Sequence, residues 1–358
     1  MKKRIVHIIF DLGRGGAETM LVSVVKELPE YENSIITLFS NNHFNDELKC
    51  DHLYNLDLRL IDLLFFPIVV IRLKKLFREI NPDLIHTHLY WPTVLTRMAA
   101  PKSIPVVTTI HSFVSQMEDY KKWYLKAFDR FTYKLRPTVI IAVSKCALAE
   151  YFSFLKVKRG KTFCLYNFVD ISRFRPKENR VQNGAVRIVT VGALRSSKNY
   201  LFLLKCIQYV KQDILFDIYG GGPLEHELND FIALVKLSNI KLKGQVKKIE
   251  SLLSQYDIFV MASKYEGFSL SVLEAMATGL PLLLSDIPSF REQCGESAVY
   301  FNLNDVEDFS HKLQWMLENR DYVTRMTNEA ILSVNNHFTL EHHLNNLRLI
   351  YDEVLLNL

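Results

Sequence analysis

The sequence predicts an α/β protein built from two Rossmann-like, doubly wound domains facing each other across a cleft. Three observations predict it. Apolar runs of strand length alternate with stretches of helical spacing along the chain, the pattern of a parallel sheet covered on both faces. The alternation stops in one polar segment, "FVDISRFRPKENRVQNGAV" (residues 168–186), and then begins again. And 358 residues exceed what one hydrophobic core usually fills, which gives two domains of roughly 150 to 200 residues.

The first unit opens at "HIIFDLGRGGAETM". Ile5 to Phe10 reads as a buried strand, and Ala17, Met20, Leu21, Val24, Val25 and Leu28 recur as one helix face would. The glycines between them, Gly13, Gly15 and Gly16, are not the dinucleotide fingerprint, because Ala17 and Glu18 stand where its third glycine belongs. An acidic first turn is also a poor neighbour for a pyrophosphate. A structural turn and a ligand loop both fit these residues. Strands follow at "SIITLF", "DLIHTHLY", "IPVVTTIHS" and "VIIAVS", with helices over Val69 to Ile80 and Trp123 to Leu135. Beyond the polar segment come "VRIVTVGAL", a helix from about Tyr200 to Val210, "LFDIYGGGP", and a helix from about Leu224 to Leu237. Then come "IKLKG", a short helix, "DIFVMAS", a helix to Ala277 and "LPLLLSD". In such sheets ligands bind beyond the carboxyl ends of the strands. The final segment, "FTLEHHLNNLRLIYDEVL", is amphipathic, with Leu344, Leu347, Ile350, Tyr351 and Val354 on one face; His337, His342 and His343 read as its surface residues.

Bulk properties exclude several classes. The composition, 49% apolar and 23% charged, is that of a folded soluble domain and not of a disordered chain. The longest apolar run, Leu63 to Ile71, is about nine residues and contains Pro67, against the roughly 20 that span a bilayer. His7 and Asp11 interrupt the opening apolar run, so no signal peptide is expected, and the expected location is cytoplasmic. Five separated cysteines (Cys50, Cys146, Cys164, Cys206, Cys294) fit reduced core thiols. Charge is uneven: residues 1–178 carry 27 Lys and Arg against 18 Asp and Glu, a net of +9, and the remainder is net −4. A basic first half and the patch "FFPIVVIRLKKLFR" fit peripheral contact with an anionic inner-membrane surface, and fit equally a core helix with a basic solvent face.

The densest chemistry lies in "ASKYEGFSLSVLEAMATGLPLLLSD", residues 262–286. A loop at Gly267, Phe268 and Ser269 leads into a helix from Leu270, whose free amides suit an anion. Glu274, a turn in, is placed to accept hydrogen bonds from hydroxyls beside that anion. "EGFSLSVLEAMATGLP" resembles the E-x7-E signature of glycosyltransferase family 4, retaining enzymes of the GT-B fold. Further matches follow in family order: "GGAE", "PDLIHTHLYWP", "TIHS", "YNFVD", "VGALRSSKN", "IYGGGPLEHEL", "LKGQV" and "YDIFVMAS". The resemblance covers nearly the whole chain.

The resemblance implies an acceptor-side domain over residues 1–177, joined by a crossover helix from about 338 to 358, and a nucleotide-sugar domain over 184–337. Glu274 would bind the ribose hydroxyls and Glu266 would face the donor sugar. Gly267, Phe268, Ser269 and Leu270 would present backbone to sugar and diphosphate. Lys198 matches the family lysine, but Ala193 stands where an arginine is expected, and Arg195 is the substitute cation. Val246 falls where the family contacts the base, which leaves UDP and GDP undistinguished. His111 matches the family histidine near the donor sugar, and Gly15 and Gly16 would let backbone approach the diphosphate. His86 and His88 share one sheet face; with no third ligand evident, they read as cleft wall and not as a metal site. No D-x-D occurs, and no metal is expected. The implied reaction is transfer of a hexose from UDP- or GDP-sugar to a hydroxyl of a saccharide acceptor, lipid-linked, in capsule, exopolysaccharide or O-antigen biosynthesis. A hinge near 170–185 would close the cleft. A nucleotide-sugar 2-epimerase on the same fold and a non-catalytic nucleotide-sugar-binding module are the alternatives.

Overall fold

The computed structural model describes residues 2–13, 15–176 and 184–356; residues 177–183, within the segment read as linker and hinge, lie outside the described residues. The chain forms two compact units, Met1–Asn167 with Glu341–Leu358, and Phe168–Leu340.

The first unit holds a seven-stranded sheet: β1 (Arg4–Ile9), β2 (Glu32–Thr37), β3 (His52–Asn55), β4 (Leu84–His88), β5 (Val106–Ile110), β6 (Val139–Ala142) and β7 (Thr162–Cys164), in the order β3-β2-β1-β4-β5-β6-β7. The second holds six strands: β8 (Val186–Val191), β9 (Ile214–Tyr219), β10 (Ile240–Gly244), β11 (Ile258–Met261), β12 (Leu282–Ser285) and β13 (Val299–Phe301), in the order β10-β9-β8-β11-β12-β13. Every neighbouring pair is parallel. Each sheet is therefore doubly wound, and the strand order reverses between β1 and β4 and between β8 and β11.

The central strands read as continuous apolar runs because helices cover both faces. In the first unit Ile8, Ile36, Ile85, Val106 and Ile140 meet Val70, Leu73, Phe77, Val94 and Leu148 from the helices. In the second, Ile188, Phe216, Ile218, Val260 and Leu283 meet Leu203, Leu204, Phe309 and Leu313. Strands β3, β7 and β13 are absent from the sequence reading. Two of them, β3 and β7, are short and partly exposed and lack an apolar signature; β13 is only three residues long. The helix expected from Val69 begins earlier, at Phe66, with Pro67 in its first turn, where a missing N–H is harmless. It ends at Asn81, which takes the left-handed conformation and donates its N–H to the Phe77 carbonyl.

The last helix, Leu340–Leu356, packs within the first unit. Tyr351 is fully buried on it, and Arg348 Nε donates to Glu30 Oε1 at 2.5 Å. A buried ion pair, Arg97 with Asp129, ties two helices of the same unit; Tyr120 Oη donates to Asp129 Oδ2 at 2.5 Å, and Arg97 Nη2 donates to Tyr151 Oη at 3.1 Å.

At the carboxyl ends of β8 and β9 two backbones touch. Gly220 has φ +143°, and a Cβ built on it would lie 1.9 Å from the Gly192 carbonyl oxygen. Only glycine permits that approach, which seats the loop from Gly192 to Lys198 against the sheet. Gly244, at the end of β10, also has a positive φ, +68°, but open space around it. Gly244→Ala is therefore expected to lose only the left-handed strain, about 1 kcal/mol. Gly220→Ala adds a backbone collision and should lower the urea unfolding midpoint by distinctly more. Equal midpoints for the two variants would show that the Gly192 carbonyl yields.

Candidate active site

In the second unit the reversal of strand order brings two loops together, one after β8 and one after β11. The β8 loop carries Lys198 in a short 3-10 turn, Ser196–Lys198. Its Nζ donates to Glu266 Oε1 at 2.6 Å, and Ser263 Oγ donates to the same oxygen at 2.6 Å. Both members of the ion pair are mostly buried, with side chains 18% and 15% exposed. Ala193 and Arg195 are exposed, and the Arg195 amide donates to the Ala193 carbonyl at 2.8 Å, which closes the turn. Among the described residues no side-chain hydrogen bond or ion pair joins Arg195 to Lys198 or Glu266.

The β11 loop runs through Gly267, Phe268 and Ser269, all buried, into the helix Leu270–Ala277. Buried Gln293 clamps this entry: its Oε1 accepts from the Ser269 amide at 3.0 Å and its Nε2 donates to the Ser269 carbonyl at 2.8 Å. The Phe268 ring packs edge-on against Phe338, 5.2 Å between centroids, so its side chain is spent in the core. No side chain caps the helix, which leaves its first amides available to an anion. The helix ends in a Schellman arrangement, with Leu280 N donating to Ala275 O at 2.9 Å and Gly279 N to Met276 O at 3.0 Å.

Glu274 sits partly exposed on that helix. Burial pushes its carboxyl up to about 8, the positive charge of Arg173 pulls it down, and Glu250 adds to the rise. Arg173 itself pairs with Glu250, Nη2 to Oε1 at 2.9 Å, and Glu250 Oε2 is buried without a partner. Two carboxylates and one guanidinium thus offer acceptors and a donor to a hydroxylated ligand. Val246, after β10, is 38% exposed.

In the first unit the glycine loop is less unusual than its sequence. Gly15 is extended, at φ −129°, and precedes the helix Gly16–Lys26, so neither its conformation nor that of Gly16 demands glycine. A Cβ on Gly15 would meet only the flexible Glu18 side chain. Beside this loop, β1 and β4 present a wall of histidines. Register pairs His7 with His86, and His7, His86 and His88 are all buried, their ring nitrogens within 4.8 Å of one another. Sequence alternation found two of these and no third; His7 is the third. Periodicity within β4 places His86 beside His88, but only the pairing of β4 with β1 adds His7. His86 spends both nitrogens, on Tyr351 Oη and Thr109 Oγ1, each at 2.7 Å. The small cavity here, about 40 Å³, is lined by five histidines, Thr109, Asn167 and apolar side chains, with no carboxylate. Since His86 has both nitrogens engaged, only His7 and His88 keep a nitrogen for an ion, and the cluster suits a hydrogen-bonding wall better than a three-histidine metal site.

His111 follows β5 and is partly exposed, with Nε2 3.0 Å from His88 Nδ1. Burial pushes His7 down to about 3 and His111 and His343 to about 4, and lowers His86 and His88 well below the usual imidazole range. His343 corrects the sequence reading. It is 8% exposed, and its Nδ1 lies 2.7 Å from the Tyr166 carbonyl oxygen, so it is a wall residue and not a surface one. His337 belongs to the preceding helix, Arg320–His337.

Sequence reasoning missed His7, Ser263, Arg173, Glu250 and Gln293. Ser263 closes a strand and Gln293 is a polar residue inside an apolar pattern, which are the signals each offered. Arg173 and Glu250 offered none, since 77 residues separate them.

Residues 14–173 match the family described as Glycosyltransferase Family 4, and residues 172–332 match that described as Glycosyl transferases group 1. EpsF of Bacillus subtilis strain 168 is 27% identical over 315 residues, covering 80% of this chain and 79% of that protein. The UDP-Gal:alpha-D-GlcNAc-diphosphoundecaprenol alpha-1,3-galactosyltransferase of Escherichia coli is 26% identical over 297 residues, covering 74% and 71%. In fold, the chain is similar to Anabaena HepE, crystallised with UDP and glucose: TM-score 0.83 at 14% identity, covering 98% of this chain and all of that one.

The Glu274 environment predicts a pH dependence. The folded protein holds the Glu274 proton up to about pH 8, whereas an unfolded chain releases it near 4.5. Between those values the folded state binds the extra proton, so its contribution to stability is complete below pH 4.5 and is lost as pH rises towards 8. Glu274→Gln should remove that loss. Urea midpoints of variant and wild type are expected to agree below about pH 4.5 and to separate progressively in the variant's favour as pH rises, the gap being complete by about pH 8; parallel curves would mean a solvated, ionised carboxylate.

Proposed function

The chain belongs to the group 1 and family 4 glycosyltransferases, and on that premise we propose that it moves a hexose from UDP- or GDP-hexose, with retained anomeric configuration, to a hydroxyl of a lipid-linked saccharide. The observation that carries this reading is the Lys198 and Glu266 pair, 2.6 Å apart where the strand order reverses, with the uncapped helix Leu270–Ala277 starting four residues further on. A diphosphate leaving group gains negative charge as its bond to the anomeric carbon breaks. An ammonium and a helix N-terminus, already held in place, stabilise that charge more in the transition state than in the bound donor. Arg195, exposed on the same loop, supplies a second cation in place of the arginine missing at Ala193.

Glu274 accepts hydrogen bonds from the ribose hydroxyls, supported by the unpaired Glu250 oxygen beside it. Glu266, released from Lys198 when the diphosphate takes the ammonium, faces the donor sugar. Backbone at Gly267 to Leu270 and the open surface at Val246 hold sugar, diphosphate and base. The acceptor hydroxyl attacks from the face the diphosphate leaves. The bond from anomeric carbon to phosphate oxygen breaks as the new glycosidic bond forms, and the hydroxyl proton passes to a donor phosphate oxygen. No metal is needed, because cations and helix amides perform its electrostatic work.

Surface chemistry of the first unit supports a lipid-linked acceptor. Leu60, Leu64, Ile68 and Ile71 are each at least 60% exposed along the 3-10 turn Leu60–Phe65 and the helix Phe66–Ile80, beside Arg72, Lys74, Lys75 and Arg78. The neighbouring helix Trp123–Leu135, joined through Phe66 and Phe128, exposes Trp123 at 79%. Among the described residues no helix is long and apolar enough to cross a membrane. Apolar side chains ringed by cations fit the interface of an anionic leaflet, which supports a peripheral location on the inner membrane.

Donor hydrolysis followed by NMR across UDP- and GDP-hexoses tests the chemistry. Slow release of an α-configured sugar from one donor is expected, reduced at least ~100-fold in Lys198→Ala, which removes a leaving-group contact, and in Glu274→Ala, which loosens donor binding. Isomerisation of the sugar without release would make the protein an epimerase, and no donor binding would make it a non-catalytic module. Vesicle co-sedimentation tests the location. Binding to anionic vesicles should weaken in salt and in Leu64→Glu, and equal binding to neutral vesicles would sink the electrostatic part.

A further inference from the structure

Three imidazoles of the first unit, His7 and His88 buried and His111 half-buried, form a chain. His7 Nδ1 lies 3.5 Å from His88 Nε2, and His88 Nδ1 lies 3.0 Å from His111 Nε2. Burial keeps all three neutral, so each ring carries one N–H and one bare nitrogen. In a chain of such rings the protons must run in one direction. Either His7 donates to His88 and His88 to His111, or the reverse. The inner end decides. His7 Nε2 is buried without a hydrogen-bond partner, and His86, its neighbour across β1 and β4, has both nitrogens engaged elsewhere. Were the chain to run inward, that nitrogen would carry an N–H with no acceptor. Running outward, it is a bare lone pair, and buried acceptors without a donor are better tolerated than buried donors without an acceptor.

We propose that His88 is a positioning residue that donates from Nδ1 to His111 Nε2 and thereby holds His111 as its Nδ1–H tautomer, with buried His7 fixing the direction. His111 then presents a hydrogen-bond donor on its remaining nitrogen, suited to a sugar hydroxyl or ring oxygen and not to a cation. Imidazole in water favours the other tautomer, Nε2–H, so the wall imposes a choice the isolated side chain would not make. The role of His111 towards donor sugar rests on the glycosyltransferase reading above; the tautomer does not.

Two-bond 15N–1H correlation spectra of the full-length protein, 15N-labelled at histidine and free of donor, report which ring nitrogen carries the proton. Wild type is expected to show His111 as Nδ1–H. In His88→Phe it should revert to Nε2–H, and in His88→Gln, whose amide can donate from the same place, it should remain Nδ1–H. An Nε2–H tautomer in wild type, or no change in His88→Phe, overturns the proposal. The wild-type spectrum decides the tautomer by itself, so misfolding of the phenylalanine variant leaves the test intact. With donor turned over by the wild type, kcat/KM should fall about tenfold in His88→Phe, the worth of one hydrogen bond, and recover in His88→Gln. Equal loss in both variants overturns the positioning role. Tautomers as expected with no donor turned over would leave the proposal standing and sink the glycosyl-transfer reading.

Discussion

Parallel strand pairing is the constraint from which the rest follows. Each parallel neighbour requires a crossover, and the crossovers return the chain so that every strand of a sheet delivers its carboxyl end to the same edge. Side chains distant in sequence are thereby gathered without any need for the loops to be long. In the first unit that edge collects the glycine loop after β1, His88 at the end of β4 and His111 just past β5. In the second it collects Lys198 after β8 and Glu266 after β11, separated by 68 residues and joined at 2.6 Å. Where the strand order reverses, adjacent loops diverge to opposite faces and leave room between them. That is why the chemistry of each unit lies at its reversal and not elsewhere along the edge.

The two edges are built to opposite electrostatic plans. The second unit keeps a mostly buried ion pair, two carboxyl groups with one guanidinium, and a helix entry clamped by Gln293, a surface suited to a charged, hydroxylated ligand. The first unit lines its reversal with histidines that burial strips of charge. A row of neutral imidazoles offers direction without net charge, and the direction is fixed by which ring at the buried end can do without a partner. The same burial that suppresses ionisation of the histidines raises the Glu274 carboxyl, so one physical cause acts in opposite senses on acids and bases.

Backbone contact limits the sequence at a few positions. The touching of Gly192 and Gly220 seats the loop that carries Lys198, so the cation's placement depends on a glycine in a different loop. The Schellman stop at Gly279 does similar work for the helix that carries Glu274. These positions are legible in sequence as glycines at strand and helix ends, though which glycine is required by space and which by conformation is not. Gly15 illustrates the difference: it looks indispensable in "GRGGAE", yet its extended conformation is open to any residue.

Periodicity and composition determined the α/β class, the two doubly wound halves, the central strands and the helix faces, because each of these is written in local spacing. The motif order in "VGALRSSKN" and "EGFSLSVLEAMATGLP" marked Lys198, Glu266 and Glu274. Short strands such as β3 and β7 escaped, since a few half-exposed residues bury too little to leave a pattern. What only the tertiary structure decided is which distant residues meet. His7 against His86, Ser263 on Glu266, Arg173 with Glu250 beside Glu274, and the burial of His343 all depend on strand order or on the return of the last helix. Local spacing carries no record of register between strands, and these contacts are matters of register and crossover. The sequence by itself therefore determined the frame and the charged residues of the site; the fold decided their partners, and through burial and those partners, their protonation.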